Sequence, residues 1–135
     1  MVSCCLVATQ PEAADGHTVL VVDDEETVRR VAALLLEAAG YTVLEAGSAG
    51  EALGVAASGS AIDAVLLDVM LPDRSGAAVA ADLRRLRPDV PIVVSSGYDD
   101  RTVAERVGPV ERLSFLRKPY AADDLTAALA AAIAA

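Results

Sequence analysis

Aromatic residues are scarce in this sequence: tryptophan is absent, and three tyrosines and one phenylalanine make up 3% of 135 residues. The core therefore cannot rest on stacked rings and must come from Ala, Val and Leu, in a chain that is 54% hydrophobic. Positive charge is also short. Eleven Lys and Arg against 20 Asp and Glu leave a net charge of −9, which sets aside direct nucleic-acid contact, since that draws its affinity from neutralised phosphates. Only two cysteines occur, Cys4 and Cys5, adjacent and near the start. Neighbouring cysteines rarely bond to each other, so neither a disulfide framework nor a metal spacing is present. The opening residues lack a basic segment and a sustained apolar stretch, so no signal peptide is expected. No run approaches the roughly 18 apolar residues of a membrane span. The expectation is a protein of the reducing cytoplasm, away from membranes.

What is present is an alternation of short apolar runs and helical stretches. Residues 1–17 have no periodicity and read as a flexible leader, with His17 an exposed linker residue. Residues 18–134 read as one domain, in keeping with a usual size of roughly 100–200 residues. Thr18–Val22 is an apolar strand, and Glu26–Ala39 a helix with Val28, Val31, Leu35 and Ala38 on one face and Gly40 as its stop. Thr42–Glu45 is a second strand, after which Ser48 and Glu51 have the spacing of a capping box. Ala64–Leu67 is a third strand ending at Asp68, and a helix opened by Ser75 stops near Arg87 because Pro88 follows. Ile92–Ser95 is the fourth strand, Asp99 caps a helix ending near Gly108, and Leu113–Leu116 is the fifth strand. Leu125, Leu129 and Ile133 mark the buried stripe of a last, Ala-rich helix. Such an alternation predicts an α/β fold, a doubly wound five-stranded parallel sheet with helices on both faces. For five strands the flavodoxin-like order 2-1-3-4-5 is the better expectation.

In such sheets ligands bind beyond the carboxyl ends of the strands. Strand one ends in Asp23-Asp24, strand three in Asp68, strand four in Ser96-Gly97 and strand five in Lys118-Pro119. Carboxylates gathered at one edge repel: two unit charges about 4 Å apart cost roughly 1 kcal/mol in water and about 4 at the effective dielectric of a protein surface. A small hard cation with oxygen ligands, Mg²⁺ or Mn²⁺, meets that demand. Lys118, the only lysine, supplies a second, compact positive charge suited to a phosphoryl oxygen. An ionised aspartate beside such charges is a nucleophile for phosphorus, and phosphoryl transfer asks chiefly for positioning and charge neutralisation.

Asp23-Asp24, the run Asp68-Val69-Met70-Leu71-Pro72 with Gly76, Ser96-Gly97, and Phe115-Leu116-Arg117-Lys118-Pro119 together resemble response-regulator receiver domains over about residues 18–134. The resemblance implies that Asp68 is the phosphoacceptor, and that Asp23, Asp24 and the backbone carbonyl of Met70 join it in holding the metal. It implies a switch pair of Ser96 and Phe115, a cis peptide at Lys118-Pro119, and a histidine kinase or histidine phosphotransfer protein as phosphodonor. The stretch Val107–Ser114 departs from the usual approach to strand five and looks more like receivers of hybrid kinases. With no effector domain, output is expected through an unknown downstream protein, from a monomer or weak dimer.

Plainer readings stand beside these. Asp23-Asp24 suits a helix cap, Ser95-Ser96-Gly97 an ordinary loop entry, and Phe115 a core residue. Leu34 lies with Thr27, Arg30 and Glu37 on the outward stripe of the first helix. A lone exposed leucine usually means nothing; the sharper reading is that Leu34, with Arg30, docks a partner's helices. Two rival functions remain: an Asp-nucleophile phosphatase, which wants an acid where Met70 stands, and a receiver-shaped binding module that takes no phosphate.

Overall fold

Central parallel strands covered by helices on both faces read as near-continuous apolar runs, and Val19–Val22, Ala64–Leu67 and Ile92–Val94 are such runs. The computed structural model describes residues 16–69, 71, 75–97 and 113–134. Its strands are β1 (Thr18–Val22), β2 (Thr42–Ala46), β3 (Ala64–Asp68), β4 (Ile92–Ser96) and β5 (Leu113–Arg117). Its helices are α1 (Glu26–Ala38), α2 (Ala49–Ala57), α3 (Gly76–Leu86) and α4 (Ala122–Ala134). The strands form one sheet in the order β2-β1-β3-β4-β5, with every pairing parallel. Both the class and the order match the expectation. The helix expected from Asp99 to Gly108 lies outside the described residues, as does Met70. Among the described residues, no helix is long and apolar enough to cross a membrane.

Successive side chains of a strand point to opposite faces, and the core divides accordingly. Leu20, Val22, Val65, Leu67, Ile92 and Val94 pack with Ala52, Val79 and Leu83 beneath α2 and α3. Val19, Val21, Leu66 and Val93 pack with Leu36, Leu125 and Leu129 beneath α1 and α4. The edge strands are less buried: β2 and β5 are partly exposed, whereas β3 and β4 are buried throughout.

Several details correct the sequence reading. The buried stripe of α1 is Ala32, Ala33 and Leu36, while Val31 is 51% exposed and Ala38 is exposed too. Bulk drew the expectation towards Val31, but small alanines are what let the helix lie close on the sheet. Ala39 caps α1, and Gly40 takes a φ of 104°. The Gly40 N–H donates to Glu37 and that of Tyr41 to Leu36, which closes the end in a Schellman turn. At α2, the Ser48 Oγ accepts from the Glu51 N–H at 3.2 Å, but Glu51 reaches back to the N–H of Gly47 rather than Ser48, at 2.7 Å. His17 is half-buried, not exposed, and its carbonyl accepts the Thr42 N–H at 2.9 Å, so the sheet's hydrogen bonding starts inside the expected leader.

Gly76, the first residue of α3, shows why a glycine is required where that helix meets the backbone after β3. A Cβ there would stand 2.8 Å from both the Val69 carbonyl oxygen and Val69 Cγ2. The first turn of α3, capped by Ser75 Oγ accepting from Ala78 N–H at 3.2 Å, therefore lies directly on the backbone that follows Asp68. Gly76→Ala should lower unfolding stability by about 1–3 kcal/mol, the usual cost of overpacking against an unyielding neighbour. Urea midpoints of the two proteins check this.

Candidate functional site

Register brings the acids together. Val22 pairs with Leu67, so Asp23 follows β1 at the level of Asp68, the last residue of β3. Asp68 in turn pairs with Ser95, and Ser96 with Arg117, which leaves Lys118 one step beyond β5. Strand alternation adds a second condition. Asp23, Asp68 and Lys118 share the parity of Val21, Leu66 and Leu116, so all three belong to the face covered by α1 and α4. Ser96 shares the parity of Val94 and Phe115, which belong to the opposite face.

The resulting cluster is tight. Carboxylate oxygens of Asp23, Asp24 and Asp68 lie within 4.8 Å of one another; Asp23 and Asp68 are buried and Asp24 is exposed. The Lys118 ammonium stands 3.1 Å from Asp23 Oδ2 and 3.5 Å from Asp68 Oδ2. Burial alone would depress the lysine's pKa, but the charges of Asp68 and Asp23 outweigh it and hold the ammonium above its ordinary range. Tyr120, two residues on, has its hydroxyl pKa raised chiefly by burial. Lys118 and Pro119 are joined by the expected cis peptide bond.

Asp23 is fixed at four atoms. Its N–H donates to the Ala46 carbonyl at 3.1 Å, and its carbonyl accepts from Arg29 Nη1 at 2.9 Å. Its Oδ1 accepts the Glu25 N–H at 2.9 Å, and its Oδ2 faces Lys118. The capping reading thus survives only in part: Asp23 closes the turn before α1, while Glu25, the residue at the cap position, makes no side-chain cap. Each carboxylate oxygen has a further lone pair, so these bonds leave Asp23 able to ligate a cation.

The donor set fits a hard divalent ion. Three carboxylates from two strand ends surround one point, and Asp24 is open to solvent, so that bound water can complete the coordination. Ser96 is buried at the end of β4, and its carbonyl accepts the Lys118 N–H at 2.7 Å. Phe115 is half-buried and packs against the α2–α3 core. The structure therefore brings Asp23, Asp24, Asp68 and Lys118 into one site and sets Ser96 beside it; Met70 lies outside the described residues. Arg29 and Glu45 are the residues that the sequence reading missed. The signal was available: Arg29 falls on the same helical stripe as Ala33 and Leu36, where a charge needs a partner.

With this geometry in place, comparison with known proteins is direct. The chain belongs to the response regulator receiver domain family, which matches residues 19–130. It is 34% identical over 115 residues to the sensor kinase CckA of Brucella abortus, covering 84% of this chain and 12% of the kinase. It is 37% identical over 123 residues to the phosphate regulon transcriptional regulatory protein PhoB of Pseudomonas aeruginosa, covering 87% of this chain and 52% of that protein. The chain thus spans about half the length of the second relative and far less of the first. Among solved structures, a Burkholderia pseudomallei response regulator with a phosphorylated aspartic acid, a calcium ion and citrate superposes with a TM-score of 0.74 at 31% identity, covering 84% of this chain and 66% of that one. The fold described above is that of a receiver domain of two-component systems.

Lys118 is the positive charge between two buried acids, and its removal has a signed consequence. Lys118→Met should lower the stability of the metal-free protein by about 1–3 kcal/mol, between the limits for exposed and buried pairs. The same change should enlarge the rise in thermal midpoint on adding millimolar Mg²⁺, because the ion then relieves a repulsion that nothing else offsets. Paired melting curves with and without Mg²⁺ measure both.

Proposed function

We propose that this chain is a phosphorylation switch of a two-component system or phosphorelay. It takes a phosphoryl group on Asp68 from a phosphohistidine on a kinase or phosphotransfer protein, with Mg²⁺ or Mn²⁺ held by Asp23, Asp24 and Asp68 and by the Met70 carbonyl. The observation that carries this reading is the convergence of three carboxylates and the only lysine at one sheet edge. The phosphorylated aspartic acid and calcium ion of the Burkholderia relative support the same assignment here.

A divalent ion at this site would supply charge neutralisation for the transferring phosphoryl oxygens. The chain's own residues do the rest. An Asp68 carboxylate oxygen forms the new P–O bond as the P–N bond to the donor imidazole breaks; the electron pair leaves on the imidazole nitrogen, which takes up a proton. Lys118 then trades part of its contact with Asp68 for a phosphoryl oxygen, and the Ser96 hydroxyl binds another. Drawing Ser96 towards the phosphoryl group shifts the population of conformations at the β5 edge where Phe115 packs. In this reading the domain, residues 18–134, is a cytoplasmic regulator that assists its own phosphorylation and dephosphorylation, and a downstream protein reads its state.

Donor docking falls to α1. Leu34 is 55% exposed on the outward stripe, and Val31 lines a groove of about 470 Å³ with Thr27, Val28, Pro119 and Tyr120 that reaches Lys118. An apolar face leading to the nucleophile's lysine suits a helix that carries the donor histidine. Arg30 belongs to this surface, although its guanidinium is already paired with Glu45.

Two measurements test the proposal. Incubation with a small phosphodonor and Mg²⁺ should give an acid-stable, base-labile acyl phosphate in the wild type and none in Asp68→Asn; label retained by the variant would remove Asp68 as acceptor. Leu34→Asp should slow transfer from a cognate phosphohistidine protein about tenfold relative to its rate with the small donor, an interface loss of about 1.4 kcal/mol. An unchanged ratio of the two rates would separate Leu34 from docking.

A further inference from the structure

Of the groups that fix Asp23, one comes from neither the adjoining strand, the turn itself nor the site's own lysine. Arg29 reaches out of α1, donates from Nη1 to the Asp23 carbonyl at 2.9 Å and from Nε to Glu45 Oε1 on β2 at 3.2 Å. Its side chain is mostly buried, at 17% exposure, so the guanidinium has few alternative positions. The carbonyl that it holds belongs to the peptide linking Asp23 to Asp24. Fixing that oxygen fixes the peptide plane, and with it the direction in which Asp24 leaves the turn. Asp24 is the exposed member of the cluster, and the backbone is what aims it.

Two neighbours are shaped around this arrangement. Glu45 holds the guanidinium and offsets its charge. Gly47 leaves the space: a Cβ there would lie 3.0 Å from Arg29 Nη1. A guanidinium offers donors in fixed, coplanar directions, whereas a lysine ammonium has one centre and cannot span both acceptors in the same way.

We propose that Arg29 is a positioning residue for the cation site, setting the Asp23–Asp24 peptide so that both carboxylates can share one divalent ion with Asp68. The inference rests on the reading of these acids as a metal site. The hydrogen bonds of Arg29 go to Glu45 and to the Asp23 carbonyl, and it acts through that carbonyl. Its charge makes the proposal testable by sign. A positive charge near a cation site weakens binding by simple repulsion, so removing it should tighten Mg²⁺ binding if Arg29 matters only as a charge. A positioning role demands the opposite.

The experiment is calorimetric titration of the full chain with Mg²⁺ for wild type, Arg29→Gln, Arg29→Lys and Gly47→Ala, alongside metal-free melting curves and amide spectra. Arg85→Gln on α3 serves as a remote change of equal charge. Arg29→Gln should weaken Mg²⁺ binding about tenfold and Arg29→Lys by a similar factor despite its retained charge, with Gly47→Ala between them and wild type. In the metal-free protein the Asp24 and Glu25 amide resonances should move more than those of α4, a readout that a general loss of stability would not localise. Arg29→Gln binding Mg²⁺ as tightly as wild type, or more tightly, overturns the proposal. Should Arg29→Gln fail to fold, Gly47→Ala decides by the same criterion. A wild type that binds no Mg²⁺ sinks the metal-site reading and this inference together, whereas binding that is intact in wild type and unchanged in the variants sinks this inference alone.

Discussion

Repulsion among Asp23, Asp24 and Asp68 is the constraint around which this molecule is arranged. Charges within 4.8 Å of one another in a half-buried crevice are unfavourable by several kcal/mol at protein-like dielectric. The fold tolerates them because the sheet fixes their backbone independently of their charge. β1 and β3 lie side by side, buried on both faces, and apolar burial at each position stabilises the strands whose tips carry the acids. Lys118 then supplies the nearest compensation, and its ammonium is held charged by the acids it neutralises. Lys118 is thus a partial answer to the electrostatics of these acids, which a divalent cation would complete.

The parity of the strands explains how much was legible in advance. The order of strands follows from the alternation of elements, and two-sided burial follows from strands such as Val19–Val22 that are apolar at every position. Given those two facts, Asp68 and Asp23-Asp24 had to meet at one edge, and Lys118 had to join them from β5. Side-chain details were less accessible. Helix periodicity ranks residues by hydrophobicity, so it favoured Val31 over Ala32 and Ala33, although close helix–sheet approach rewards small side chains. Glu51 satisfied the spacing of a capping box, yet its acceptor oxygen found Gly47, because where a flexible carboxylate settles depends on the loop's path and not on the spacing. Arg29 left one signal, a charge on the buried stripe of α1, but its link to the acids runs through a backbone carbonyl, and carbonyls leave no trace in a sequence.

Family membership changes the weight of these observations without replacing them. A receiver fold alone fixes no chemistry, since related sheets host many functions. What supports the proposed phosphoryl transfer is that Asp23, Asp24, Asp68 and Lys118 stand together at the strand ends. The two nearest carboxylate partners of Lys118 are the buried ones, Asp23 and Asp68, while the exposed Asp24 is left to solvent. A divalent ion entering from solvent would therefore meet Asp24 first, and the two buried acids only by competing with an ammonium.

Under the proposed function, that division has a consequence for how a signal crosses the sheet. The acids and Lys118 lie on the α1–α4 face by strand parity, whereas Ser96 and Phe115 belong to the α2–α3 face. The two sides meet at the ends of β4 and β5, where the Lys118 N–H donates to the Ser96 carbonyl at 2.7 Å. Lys118 thus contributes its side chain to one face and its backbone to the residue that would respond on the other. β5 is an edge strand, partly exposed along its length, so it can adjust at lower cost than the buried β3 and β4. A change in charge at Asp68 that draws on Lys118 and Ser96 together would be felt first by the strand least held by the core, and that strand carries Phe115.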